Sequence, residues 1–132
     1  MLTQKEARKL LENARGGRRK LARNTYLLAE GENMVVRFWD TDIVVFRPDS
    51  TAIINTGGYR TLTTKDRLTR FSPIPCLYQE GGNWWIADSR KEANRTLFSD
   101  GIIINSENGK VISGGWICGS CSEVQEAGRA KW

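Results

Sequence analysis

Histidine is absent from all 132 residues. The side chain whose charge changes nearest neutral pH is therefore missing, and with it any Ser–His or Cys–His nucleophile pair. Long apolar runs are absent too. Stretches such as residues 43–46 and 102–104 fall far short of the roughly 18 residues needed to span a membrane as a helix. The first residues are charged rather than apolar, which predicts no secretion signal and a cytoplasmic location. Cysteines number three, Cys76, Cys118 and Cys121, an odd count that argues against a disulfide framework. Cys118 and Cys121 have the spacing of half a zinc site or a redox pair. A structural zinc site takes four N or S ligands, and only one further cysteine exists here. Two thiols in a Gly/Ser-rich turn is the simpler reading, and neither metal nor cofactor is expected. Asp40 and Asp42 read first as turn residues, since a metal nuclease needs further carboxylates converging on them. No catalytic residue is expected, and the chain is not expected to be an enzyme.

What is present is an ordinary globular composition, 39% hydrophobic and 27% charged, in a length that fits one domain. The net charge of +5 is placed unevenly. Residues 1–24 hold Lys5, Arg8, Lys9, Arg15, Arg18, Arg19, Lys20 and Arg23 against Glu6 and Glu12, a net +6. The other 108 residues hold twelve cations against thirteen anions. Such one-sided charge favours phosphate-rich or otherwise acidic partners.

The spacing predicts a helix over residues 3–14. Thr3 followed by Glu6 is a capping-box pattern, Ala7, Leu10, Leu11 and Ala14 form a stripe, and Gly16-Gly17 stops it. Residues 18–23 then read as basic chain leading into the first strand. From residue 25 the period changes to two, with strands expected over 26–30, 34–39, 43–47 and 51–55, separated by short turn signals that force an antiparallel meander. A short helix is expected over residues 63–71, capped by Thr63 with Asp66 at the third position, its Leu68 and Phe71 facing the sheet. Two hairpins follow, over 77–87 and around a tight Asn108-Gly109 turn with positive φ. The expected fold is α+β: an antiparallel β-meander with one short central helix and an N-terminal basic helix. The expected division is a basic helical arm over 1–24, a single domain over 25–115 and a C-terminal tail over 116–132.

From Asn24-Thr25-Tyr26-Leu27 through Phe71 the sequence resembles a family of small, uncharacterised phage-encoded proteins. The resemblance rests on Val36-Arg37-Phe38-Trp39-Asp40-Thr41-Asp42-Ile43-Val44, on Pro48-Asp49-Ser50, and on Asn55-Thr56-Gly57-Gly58-Tyr59-Arg60-Thr61-Leu62-Thr63-Thr64-Lys65-Asp66-Arg67. It implies a phage or prophage origin, so the cytoplasm expected above is that of the host cell. Two positions depart from the family pattern: Trp39 stands where histidine is common and Tyr59 where tryptophan is usual.

Two regions are candidates for binding an anion. The first is the basic arm, Arg15, Arg18, Arg19, Lys20 and Arg23, as a source of phosphate contacts. The second is the turn into the middle helix. There Gly57 and Gly58 would let backbone approach a phosphate, Arg60, Lys65, Arg67 and Arg70 supply charge, and Thr64 supplies a hydroxyl near a helix N-terminus. The same residues also make an ordinary glycine turn, a cap and a solvated helix face. Phe38, Trp39, Tyr59, Trp84 and Trp85 are candidate stacking platforms, although alternation sends Phe38 and Trp39, like Trp84 and Trp85, to opposite faces. The function expected is non-catalytic binding of nucleic acid. The alternatives are inhibition of a host defence by docking on an acidic host protein or its nucleic-acid channel, and sequestration of a nucleotide signal.

Overall fold

The computed structural model describes residues 1–87 and 95–113, and these form an α+β fold of two helices over two antiparallel sheets. Helix α1, Gln4–Glu12, begins where the sequence predicts. Thr3 accepts from the Glu6 amide at 3.3 Å while Glu6 accepts from the Thr3 amide at 2.9 Å, so each side chain satisfies a backbone donor that a helix start leaves open. The Thr3 amide holds the Glu6 carboxyl below its ordinary value near 4.5. A folded-state pKa below the unfolded one adds stability that is complete above about 4.5 and lost as pH falls through the folded value. Glu6→Gln is therefore expected to lower the melting temperature at pH 7 and to leave it unchanged in strong acid, as read by circular dichroism melts at both.

Residues 1–24 are built into the domain. Leu2 donates its amide to the Ser72 carbonyl at 2.9 Å and Gln4 to Ser106 at 3.0 Å. The buried Gln4 side chain reaches the Arg47 carbonyl at 2.8 Å and accepts from the Ser106 hydroxyl at 2.6 Å, which satisfies both ends of an amide that would otherwise be costly to bury. After a 3-10 turn at Arg15–Gly17, the stretch expected as basic connecting chain is strand β1, Arg18–Ala22. Its exposed, charged pattern hid it: an edge strand needs no apolar alternation, and Lys and Arg there discourage pairing with other chains.

The meander follows as expected: β2, Thr25–Glu30; β3, Asn33–Phe38; β4, Thr41–Phe46; and β5, Thr51–Ile54. The chain then leaves through α2, Leu62–Phe71, and a second sheet of β6, Cys76–Glu80, β7, Asn83–Ala87, and β8, Thr96–Leu97. It returns as β9, Ile102–Asn105, and β10, Val111–Ser113. The first sheet is ordered β1-β2-β3-β4-β5-β9-β10 and the second β6-β7-β8.

Register decides which residues are inside. Leu27, Val36, Val44, Ile54 and Ile102 lie opposite one another across five strands, and all are fully buried. A bulge between β3 and β4 lets adjacent Ile43 and Val44 both bury, which strict alternation forbids. Against this inner face pack α1 through Ala7, α2 through Leu68, and the second sheet through Leu77, Trp84 and Ile86, in one core. Trp84 and Trp85 do face opposite ways: Trp84 joins the core, while Trp85 is buried with Tyr78 and Ala87 on the other side of its sheet. The outer face of the large sheet carries the next row, Leu28, Val35, Val45, Ile53 and Ile103.

Candidate functional site

The turn into α2 is closed from within. Thr56 donates its amide and its hydroxyl to Asp100 Oδ1 at 2.7 and 2.8 Å. The Gly57 amide goes to Asn55 Oδ1 at 2.8 Å, the Gly58 amide to the Thr56 hydroxyl at 3.2 Å and the Tyr59 amide to the Thr56 carbonyl at 3.1 Å. Asp100, a carboxylate of the chain itself, thus takes both Thr56 donors, and the Gly57 and Gly58 amides are satisfied within the turn. Gly57 has φ +65°, and a Cβ there would lie 2.9 Å from the Thr41 hydroxyl; the glycine is needed for backbone shape and close packing.

The helix entrance also differs from expectation. The cap is Thr61, not Thr63: its hydroxyl accepts from the Thr64 amide at 3.1 Å. Thr64 is buried, its hydroxyl 3.1 Å from that of Thr61, so it faces the protein and not a ligand. Arg67 is committed as well. Its Nε donates to the buried Thr25 hydroxyl at 2.9 Å, its guanidinium lies 5.6 Å from the Phe38 ring, and Nη1 is 2.7 Å from Asp66. It ties α2 to the sheet. Arg70 pairs with Asp66 at 3.3 Å and lies over Phe71. Arg60 is exposed but covers the Trp84–Phe98 ring pair, 5.8 and 5.1 Å from the two rings. Lys65 is half-buried on the same helix.

The two basic regions do not form one patch. Helix α2 packs on the inner face through Leu68. In β1, Arg18 lies opposite Leu28 and Lys20 opposite Tyr26, which places both on the outer face, while Arg19, opposite Leu27, belongs to the inner side at the sheet edge. Arg18, Arg19, Lys20 and Arg23 are all exposed, and Arg15 precedes them in the 3-10 turn.

On that outer face a concavity of about 270 Å³ is lined by Arg18, Asn24, Tyr26, Leu28, Arg37, Trp39 and Asp40. Its floor is the β1–β3 surface and its rim two neighbouring turns, where the Trp39 amide donates to the Asn24 carbonyl at 2.9 Å. The Arg18 guanidinium stacks 4.1 Å from the centre of the Tyr26 ring, a cation–π contact that holds a flexible cation in place. Arg37 is held by Asp42 and Glu30, each at 2.6 Å, and its pKa is raised, chiefly by the Asp42 hydrogen bond. Phe38 packs against the core, whereas Trp39 is 66% exposed. Trp39 also has φ +56°, a left-handed conformation that costs a bulky residue about 1–2 kcal/mol. Trp39 is thus a large exposed indole held in a left-handed turn at the rim of the concavity. The sequence gives little sign of this conformation, because residues 34–39 read as continuous strand.

Among the described residues no cluster of acidic side chains and cysteines is placed to hold a metal ion, and no helix is long and apolar enough to cross a membrane. Cys118 and Cys121 lie outside the described residues, as does the expected tail over 116–132. No curated protein and no solved structure matches the chain. A family model described as Kyanoviridae Gp96 protein matches residues 3–105.

Proposed function

The chain belongs to the Kyanoviridae Gp96 family of phage proteins, and within that setting we propose that it is a non-catalytic nucleic-acid-binding protein whose contact surface is strand β1 and the outer face beside it. One observation carries this reading: exposed Arg18 lines one concavity with Tyr26 and the exposed Trp39, and exposed Lys20, paired with Tyr26, lies on the same face. Cations on an extended edge strand track a phosphate backbone, and rings beside them offer stacking surfaces. Arg19 and Arg23 add charge along the same edge. Arg60, Lys65 and Arg70 belong to the opposite side of the sheet and are no part of this surface. The Gly57-Gly58-Tyr59-Arg60-Thr61 run, inside the matched span, builds the turn closed by Asp100 and the cap of α2.

The test is fluorescence anisotropy with labelled oligonucleotides between about 50 and 200 mM salt. The double variant Arg18→Glu, Lys20→Glu is expected to weaken binding at least about tenfold at low salt. It should also flatten the plot of log affinity against log salt by about 2, roughly one unit per lost phosphate contact. Binding that ignores salt, or that the double variant leaves intact, overturns the proposal.

A further inference from the structure

The concavity on the outer face has a shape and chemistry that a phosphate track alone does not require. We infer that it receives one unpaired nucleobase, stacked on Trp39, so that the protein selects single-stranded over duplex nucleic acid; this rests on the nucleic-acid reading above.

A volume of about 270 Å³ suits one base and its sugar, not a helix laid across it. Tyr26 is already covered by Arg18, so the free aromatic surface is the exposed indole of Trp39. An indole is a stacking partner for any base, since every base has a π-face. In a duplex both faces of a base are covered by its neighbours and its pairing edge is filled, so only an unpaired base can enter. Asp40 and the Asn24 side chain on the rim then offer acceptors and a donor to the pairing edge. A carboxylate there takes an amino or imino hydrogen of the base.

Charge places the rest of the strand. Arg37 is neutralised by Asp42 and Glu30, and Asp40 is negative, so the floor of the concavity has little net attraction for a phosphate. Of the exposed β1 cations, Arg18 lines the concavity over Tyr26, and Lys20 continues the same face along the strand. This division suits a nucleotide whose base enters the pocket while the flanking phosphates run along Arg18, Lys20 and Arg23. A free mononucleotide shares the base chemistry but lacks the flanking phosphates that the β1 cations would hold.

Trp39 allows a test that separates binding from folding. Trp39→Gly removes the ring and relieves the left-handed backbone, so it is expected to leave the melting temperature unchanged or raised. Affinity for a labelled 12-nucleotide single strand should nevertheless fall about 5- to 150-fold, the factor carried by one base–aromatic stack, with the salt slope unchanged. Trp39→Phe should keep most of the affinity. The unaltered protein should bind the strand at least about tenfold more tightly than a blunt duplex of the same sequence. Adenosine or guanosine monophosphate should fail to displace the strand below millimolar concentration.

Equal affinity for strand and duplex, or full affinity in Trp39→Gly, overturns this inference and leaves the nucleic-acid reading standing. Displacement by micromolar monophosphate that depends on Trp39 overturns the assignment to a strand and makes the free nucleotide the ligand. Binding of neither strand nor duplex at 50 mM salt overturns the nucleic-acid reading and this inference with it.

Discussion

Gly109→Ala is expected to destabilise the protein by about 2–5 kcal/mol, read as a fall in the urea midpoint at constant slope. Two costs add. The residue has φ +75°, where an L side chain pays about 1–2 kcal/mol. A Cβ would also fall on the Pro73 carbonyl oxygen and come within 2.9 Å of its carbon, and forcing extra volume into packed backbone costs about 1–3 kcal/mol more. Pro73 is fixed in turn, because it lies between Ser72, which receives the Leu2 amide, and the buried Ile74. Gly101→Ala is the control. Gly101 has φ +89° with open space around its would-be Cβ, so only the conformational cost applies. Equal losses at the two positions would refute the close-packing account of Gly109.

Asp100→Ala is expected to cost about 2–4 kcal/mol, and Asp100→Asn about 1. One oxygen, Oδ1, accepts from both the amide and the hydroxyl of Thr56, and Thr56 is 1% exposed. Alanine leaves two buried donors without a partner, and each such loss carries a desolvation penalty of about 1–3 kcal/mol. Asparagine keeps the accepting oxygen and loses only its charge. If the two variants melt together, charge and not hydrogen bonding holds the turn, and the Gly57–Gly58 region regains interest as an anion site.

Much of this architecture was legible in the residues. The capping box at Thr3 and Glu6, the change to period two at residue 25 and the short polar separators each have a local physical cause, and α1 and the meander formed where those causes place them. Strand β1 was not legible, because an edge strand is held by its neighbour's backbone and not by its own apolar pattern. Nor was the cap at Thr61: three threonines at 61, 63 and 64 offer equivalent local chemistry, and burial of Thr64 chooses among them. The Asn108-Gly109 signal did mark a turn. Yet Gly109 is required by Pro73, 36 residues away, which no local rule contains.

The candidate site was legible in composition and not in geometry. The run of cations at residues 18–23 is plain, but only the pairing of Arg18 with Leu28 and Lys20 with Tyr26 assigns those cations to a face. The same pairing separates them from residues 60–70. Charge in those residues was read as available, whereas Arg67 is spent on Thr25 and Asp66. A guanidinium has donors enough to serve as an internal strut, and a sequence does not record which ones do.

The strands β5 and β9 are antiparallel neighbours, with Ile54 opposite Ile102. They are therefore the two arms of one hairpin, and its connection is 47 residues, 55–101, holding α2 and the whole second sheet. As slack chain, such a connection would only add closure entropy, which grows with the logarithm of its length. Here it returns Leu68, Ile74, Leu77, Trp84, Ile86 and Phe98 to the same core that Ile54 and Ile102 occupy. Only a small cluster, Tyr78, Trp85 and Ala87, is buried apart from it on the far side of the second sheet. The insertion and the sheet that carries it should accordingly melt as one cooperative unit, so that damage at the far end of the connection is felt in the register of the strands it joins.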